Sequence, residues 1–319
     1  MDKDVLVSII IPNYNSAKFI QDTILSIKNQ TSKNWECIIV DDGSTDNSLL
    51  IINNNIVNDA RFKLYKRPQN LVKGGNSCRN YGFEKSNGAL INWFDSDDVM
   101  HPDFIEKKVS CFFKNNNLDF VVSGGDFVDK DLNLIKKMPI YDTNNVYKEY
   151  FFWRLKIVTN AVMFKKSFLK TNELFKLDLT KGQEFELFTR LFYKNDKYNI
   201  ITDSLYSYRS HPNSISSKSK SYIPENKYSE TYTVFQNLKR NLKEDSEITQ
   251  SCFRLLITMY RKSLSNNDRK NINYIEKNLE KLDISNKKLV INVLRFVKKM
   301  PLIFNSLAWN KIIYRIKIA

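Results

Sequence analysis

The run Val5-Leu6-Val7-Ser8-Ile9-Ile10-Ile11-Pro12-Asn13 decides the fold. Apolar, mostly β-branched residues crowd it from Val5 to Ile11 without polar alternation, the pattern of a strand covered on both faces in a parallel sheet. Beyond it, Ser16 is placed to cap a helix with Phe19, Ile20, Ile24 and Ile27 on one face. Glu36 to Val40 is a second buried strand, closed by Asp41-Asp42-Gly43-Ser44. Asp46 can cap the next helix, with Leu49, Leu50, Ile52 and Ile56 facing inward. Phe62 to Tyr65 reads as a third strand and Gly75 to Lys85 as a short helix. Ala89 to Phe94 is a fourth strand that runs straight into Asp95-Ser96-Asp97-Asp98. Pro102 sits near the start of another helix, and Leu118 to Ser123 is a fifth strand. Strand and helix alternating through short connections predict an α/β fold, an open and mostly parallel sheet with helices on both faces.

The grammar changes near Pro224. Glycine and strand signals stop, and Lys, Asn, Leu and Ile recur at helical spacing. Two parts follow: an α/β domain over 1–223 and a basic, mainly helical region over 224–319. Asn286 to Met300 shows the helical spacing best. Leu289, Val290, Val293, Leu294, Phe296, Val297 and Met300 share one side, and Lys287, Lys288, Asn292, Arg295, Lys298 and Lys299 the other. Pro301 then breaks the pattern.

With 319 residues the chain can bury a sizeable core, and 42% hydrophobic and 13% aromatic residues exclude a disordered or collagen-like chain. Four scattered cysteines (Cys37, Cys78, Cys111, Cys252) and two histidines (His101, His211) exclude a disulfide framework, a thiolate zinc site and a multi-histidine metal site. The first apolar run lacks a basic leader and ends in Pro-Asn, so it reads as a strand and not a signal peptide. No stretch reaches the roughly 18 apolar residues of a membrane span. A cytoplasmic location is expected. The formal charge is +15, and residues 225–319 carry 19 Lys/Arg against nine Asp/Glu. Such a surplus suits a polyanionic partner. No helix-turn-helix, single-strand platform or interleaved surface aromatics accompany it, which argues against nucleic acid. The basic amphipathic region fits three roles that its pattern leaves open: peripheral attachment to an anionic membrane surface, packing on the α/β domain, or self-association into a homo-oligomer.

Ligands of open parallel sheets bind outside the carboxyl ends of the strands. Three such ends carry polar clusters: Pro12-Asn13-Tyr14-Asn15, Asp41-Asp42-Gly43-Ser44 and Asp95-Ser96-Asp97-Asp98. Neither G-x-G-x-x-G nor G-x-x-x-x-G-K-[ST] is present, which removes the main support for dinucleotide and P-loop sites. Tyr14 still offers a face to a base, and Asp41 or Asp42 can accept from its edge. Carboxylates at i and i+2 on a tight turn can hold Mn²⁺ or Mg²⁺ through oxygen, and such a cation neutralises a departing diphosphate. An ordinary Asp-rich turn capping the next helix would look the same in isolation. Convergence of three clusters on one crevice favours the site.

Val7-Ser8-Ile9-Ile10-Ile11-Pro12-Asn13-Tyr14-Asn15, Val40-Asp41-Asp42-Gly43-Ser44-Thr45-Asp46, Arg79-Asn80-Tyr81-Gly82 and Phe94-Asp95-Ser96-Asp97-Asp98 together resemble, in order and spacing, the successive signatures of family 2 glycosyltransferases of GT-A fold, over roughly residues 5 to 215. The resemblance implies that Tyr14 and Asp42 contact the nucleobase, with Pro12 and Asp41 lining its pocket. It further implies Asp95 near the ribose, Asp97 as direct metal ligand and Arg79 near the donor. Cys78 stands where alanine is usual. Lys181-Gly182-Gln183-Glu184-Phe185-Glu186-Leu187 resembles the acidic motif that supplies the base, making Glu184 the base, with Glu in place of the usual Asp and Glu186 as the other candidate. Both acids also suit a solvated face of the helix that holds Leu187, Leu191 and Phe192. Tyr208-Arg209-Ser210-His211-Pro212-Asn213-Ser214-Ile215-Ser216 resembles the closing segment, in which His211 completes the metal site and Arg209 approaches the diphosphate. Trp153 and Phe152 are candidates to stack on an acceptor sugar, whereas Trp93 suits packing.

The implied activity is an inverting, metal-dependent transfer of a sugar from a nucleotide-diphosphate donor, UDP-sugar first among them, to a glycan or lipid-linked acceptor in bacterial surface-polysaccharide synthesis. The alternative keeps the fold and drops the reaction: a catalytically inactive sugar-nucleotide-binding subunit of a larger synthase. The intact set Asp95, Asp97, Glu184 and His211 favours the enzyme.

Overall fold

The computed structural model describes residues 5–211 and 221–283, together with residues 292, 294 and 298. Two compact units emerge, one of Met1–Leu177 with Leu191–Lys218, the other of Asp178–Arg190 with Ser219–Ala319. The segment Asp178–Arg190, which the sequence pattern groups with the α/β part, thus groups with the helices beyond it.

In the first unit the chain runs β1 (Val7–Asn13), α1 (Ile20–Lys28), β2 (Trp35–Asp41), α2 (Ser48–Ile56), β3 (Phe62–Lys66), α3 (Gly75–Lys85), β4 (Leu90–Trp93), β5 (Val99–Met100), α4 (Phe104–Lys114), β6 (Phe120–Val128), β7 (Leu134–Lys137) and α5 (Val146–Phe151). A 3-10 turn (Thr159–Ala161), β8 (Val162–Lys165), α6 (Lys166–Lys170) and β9 (Tyr198–Arg209) complete it, with α7 (Gln183–Phe192) between α6 and β9. Among the described residues all nine strands join one sheet in the order β3-β2-β1-β4-β8-β6-β9-β5, with β7 paired to β6. Val7, Ile9, Ile10 and Ile11 are fully buried, as an unalternating apolar run requires. Strands β3, β2, β1 and β4 are mutually parallel. Beyond β4 the sheet is mixed: β8 runs antiparallel to β4 and β6, β6 and β9 are parallel, and β5 is antiparallel to β9. The mostly parallel character expected of the sheet is complete in its first half, and the second half mixes directions.

Several local expectations shift. Ser16 does not cap α1, because a turn intervenes. Its carbonyl accepts from the Phe19 and Ile20 amides (2.9 and 3.0 Å), and its hydroxyl donates to Asn13. Asp46 does bind the start of α2, accepting from the Ser48 amide (2.9 Å). Only Ser48 and Ile52 of that helix are fully buried, and Leu50 is 60% exposed. Helix α3 lies against β1 so closely that a Cβ at Gly82 would stand 2.3 Å from Ile10 Cγ2. Cys78 packs with Ile38 and Val40, and burial pushes its thiol up to about 12, so it fills core and is unreactive.

One polar knot ties β1 to β2 away from the carboxyl ends. Buried Glu36 accepts from Ser8 Oγ (2.7 Å), Lys63 Nζ (2.7 Å) and the Asn87 amide (2.5 Å). Burial alone would raise its carboxyl, but these donors outweigh it and lower the pKa to about 2.

The second unit contains α8 (Pro224–Asn241), α9 (Ser246–Ser265) and α10 (Arg269–Lys281). Pro224 opens α8, Asp245 caps α9 through the Ile248 amide (3.0 Å), and Asp268 caps α10 through the Asn271 amide (3.0 Å). Phe235, Phe253, Leu256, Tyr260 and Ile275 are fully buried. The segment Asp178–Arg190 joins these helices through Thr180 N–H to Ser229 Oγ (3.0 Å) and Asn237 Nδ2 to Thr189 Oγ1 (3.2 Å). Of the amphipathic stretch expected over 286–300, only Asn292, Leu294 and Lys298 lie within the described residues. All three are helical, with Leu294 buried and the polar pair exposed, as the two-sided pattern predicts. Pro301 lies outside. No helix among the described residues is long and apolar enough to cross a membrane.

Candidate active site

Parallel pairing brings the carboxyl ends of β2, β1 and β4 to one edge of the sheet, with Asn13 in register with Asp41. The first two polar clusters meet there. Asp41 is buried, and its carboxylate accepts from Asn13 Nδ2 (2.7 Å), Ser44 Oγ (2.5 Å) and the Gly43 and Ser44 amides (both 3.0 Å). Its oxygens are thus engaged by Asn13 and by its own loop. Gly43 supplies the positive φ of 84° at which that loop turns. Asp42 is buried and ion-paired with Arg67, which in turn donates to the Pro68 carbonyl (2.9 Å). Pro12 is half-buried. Tyr14 is 49% exposed, its ring held under Lys73 Nζ at 4.4 Å. An exposed, cation-backed ring beside a buried carboxylate is suited to stack on and hydrogen-bond a planar base.

The third cluster leaves β4 directly. Asp95 Oδ1 accepts from Arg79 Nη2 (2.9 Å), and the Arg79 guanidinium also lies over the Phe175 ring at 5.2 Å. Asp97 Oδ2 is 2.9 Å from His211 Nε2. Burial first, then the adjacent Asp95 charge, hold the Asp97 carboxyl above its usual range. Asp98 points inward, fully buried, and burial followed by the Asp97 and Asp95 charges raises it well above the usual range. One of its oxygens accepts from the Arg209 amide (2.7 Å). Arg209, buried, reaches Asp22 (2.9 Å) and lies over Phe19, whose ring also packs against His211 at 4.6 Å. Phe19, Asp22, Arg209 and His211 line a cavity of about 580 Å³ with Lys18 and Lys130 at its wall.

Asp95, Asp97, Arg79, Arg209 and His211, chosen from scattered motifs, therefore converge. The donor set fits a hard divalent cation in part. Among the described residues no three His, Cys, Asp or Glu side chains gather tightly enough to hold a metal alone, and Asp95 is ion-paired with Arg79. Asp97 and His211 supply two ligands, and such ions complete their shell with substrate phosphates and water. The mutual repulsion of the Asp95 and Asp97 charges and the unpartnered, buried His211 Nδ1, Arg79 Nε and Arg209 Nε agree with a site built for a cation and an anion together. Pro212 to Ser216 of the closing motif lie outside the described residues.

In the second unit, Glu184 is half-buried in the first turn of α7, just after Gly182 at a φ of 67°. Glu186 is buried and clasped by Arg190 through two contacts of 3.0 Å. That pairing engages both Glu186 oxygens, so the two acids stand in different surroundings. Trp93 is fully buried, donating to the Arg79 carbonyl (3.3 Å). Trp153 is exposed and Phe152 half-buried. Sequence reasoning gave Asp98 no role and found nothing decisive between residues 120 and 180. That stretch supplies buried Asn160, and α4 supplies fully buried Lys108. A lysine on the apolar face of α4 was the one signal for the latter.

A family model described as Glycosyl transferase family 2 matches residues 8–171. An uncharacterised glycosyltransferase of Haemophilus influenzae is 43% identical over 131 residues, covering 41% of this chain and 51% of its own, so the chain spans about half the length of that relative. The poly(ribitol-phosphate) β-N-acetylglucosaminyltransferase TarP of Staphylococcus aureus is 32% identical over 214 residues, covering 63% of this chain and 61% of its own. Among solved structures, S. aureus TarS residues 1–349 in complex with UDP-GlcNAc superimposes with a TM-score of 0.61 at 17% identity, covering 92% of this chain and 90% of that one. This likeness is one of fold, and the fold is GT-A.

Proposed function

The chain belongs to glycosyltransferase family 2 and is a glycosyltransferase, and from that premise we propose an inverting transfer of one sugar from a UDP-sugar to a glycan or lipid-linked saccharide acceptor of a bacterial cell-surface polysaccharide. The observation that carries the proposal is the Asp97–His211 contact beside the Arg79–Asp95 pair at the edge where β1 and β2 also end. Tyr14 and Asp42 would take the base, with Pro12 and Asp41 behind them, and Asp95 the ribose. Asp97 and His211 would hold Mn²⁺ or Mg²⁺, which when bound neutralises charge on the leaving diphosphate. Arg79 and Arg209 would face the same phosphates and orient the anomeric carbon. Glu184 would accept the proton of the acceptor hydroxyl as that oxygen attacks from the side opposite the diphosphate, so the anomeric centre inverts. The names of TarP and of the TarS complex support an N-acetylglucosamine donor as the first to try.

The test is donor hydrolysis without acceptor across a panel of nucleotide sugars, with Mn²⁺ and with chelator, for the native protein and Asp97→Ala. Release of one nucleotide that depends on Mn²⁺ and drops by at least about 100-fold in the variant is expected. Tight donor binding with no release, even after acceptor saccharides are added, would replace the enzyme by a sugar-nucleotide-binding subunit.

A further inference from the structure

We propose that Asn160 is the positioning residue that holds the Asp95–Asp98 turn and the His211-bearing end of β9 in one geometry, so that donor and cation meet a preformed site; the proposal rests on the donor-site assignment above. Asn160 is fully buried in the 3-10 turn before β8. Its Oδ1 accepts from the Asp95 amide (2.9 Å), and its Nδ2 donates to Oδ2 of Asp98. One side chain thus grips both ends of the turn. The turn's own closing contact, Asp98 N–H to the Asp95 carbonyl, is long at 3.4 Å, which leaves the grip to Asn160. The other Asp98 oxygen accepts from the Arg209 amide (2.7 Å). Two residues later His211 meets Asp97, so the path from Asn160 closes a ring around the proposed ligands.

The clamp is anchored from behind. Lys108, fully buried on α4, donates to the Ala161 carbonyl (2.8 Å) and approaches the Asn160 carbonyl at 3.4 Å, where Asn92 Nδ2 also stands 3.4 Å away. Only a carboxamide presents an acceptor and a donor side by side on so short a stem. A carboxylate lacks the donor, and alanine lacks both. None of these contacts reaches substrate, so Asn160 acts through the turn.

The experiment measures UDP binding by calorimetry, with GDP as second probe, in Mn²⁺ and in chelator. The proteins compared are the native chain, Asn160→Ala, Asn160→Asp and the double variant Asn160→Asp/Asp98→Asn, with Asn160→Ser where alanine prevents folding. In the reciprocal double variant the amide at 98 donates to the carboxylate at 160, which still accepts from the Asp95 amide, while the carbonyl at 98 still accepts from Arg209. Each single variant is expected to raise the dissociation constant in Mn²⁺ by about tenfold or more, since displacements near 1 Å cost that much or more in preformed sites. The double variant is expected to return it to within about threefold. A purely structural role would lower the fraction of binding-competent protein and leave the dissociation constant unchanged, and that result overturns the proposal. So do single variants that bind as tightly as the native chain. Native protein that binds neither UDP nor GDP removes the donor site itself, and this inference with it.

Discussion

At the scale of single residues, α7 sets in different surroundings the two acids between which the resemblance prefers Glu184. Glu186 is buried against Arg190, whereas Glu184 occupies the first turn and is half-buried. Glu184→Gln should lower turnover by about 10² to 10⁴-fold, the usual contribution of a general base, with the melting temperature nearly unchanged. Glu186→Gln should cost on the order of 3 kcal/mol of stability by breaking the buried pair with Arg190, with turnover per folded molecule preserved. Steady-state kinetics with urea denaturation on both variants checks this, and the reverse pattern would exchange the roles. The side chains of the proposed metal and diphosphate site could be named from the sequence because each lies in a segment that resembles a family motif: Asp95 and Asp97 after β4, Arg79 on α3, and Arg209 and His211 at the end of β9. Asp41, expected to line the base pocket, turns its oxygens to Asn13 and to its own loop. A sequence shows that a carboxylate is at hand but not which donors its own loop turns toward it. Asn160 carries no motif at all, since its role depends on two partners more than 60 positions away.

At the scale of elements, the parallel strands β1 to β4 were readable because strands covered on both faces write continuous apolar runs. Strand β7 is exposed along its whole length, β5 has two residues and β8 four, so none writes a pattern long enough to recognise. Strand β9 is long but loses register with β6 at two places, which breaks its alternation. Two buried ionisable groups tie these elements together, and both make stability rise with pH, in different windows. Glu36 joins β1, β2 and β3, and its folded pKa of about 2 lies below the unfolded value of 4.5. Its contribution is complete above pH 4.5 and lost as pH falls toward 2. Lys108 joins α4 to the turn before β8, and burial holds its ammonium well below 10.5. Between that lowered value and 10.5 the unfolded chain binds more protons, so this group's contribution rises with pH. Urea denaturation at pH 7.5 and 9.5 should therefore show a more positive change in stability for the native chain than for Lys108→Met. Equal changes would mean that Lys108 titrates as an exposed lysine.

At the scale of the whole chain, charge is distributed unevenly, and the distribution carries a prediction apart from catalysis. Residues 284–319 hold eight Lys/Arg and no acid. In the described part of the second unit, by contrast, apolar side chains such as Phe235, Phe253, Leu256 and Ile275 are fully buried, and no helix is long and apolar enough to span a bilayer. Association with a membrane, if it involves this region, is then electrostatic and peripheral, at about 1 kcal/mol per basic residue near an anionic surface. We propose such attachment, because it would hold the enzyme where lipid-linked acceptors lie. Flotation of the full chain with vesicles of 30% phosphatidylserine should show binding that falls steeply from about 50 to 500 mM salt, as the screening length shrinks from roughly 14 Å to about 4 Å. Removal of residues 284–319 should abolish the binding and leave donor hydrolysis in solution intact, since every proposed donor and metal ligand precedes residue 212. Equal binding to neutral vesicles, or binding retained by the shortened chain, would refute electrostatic anchoring by this tail.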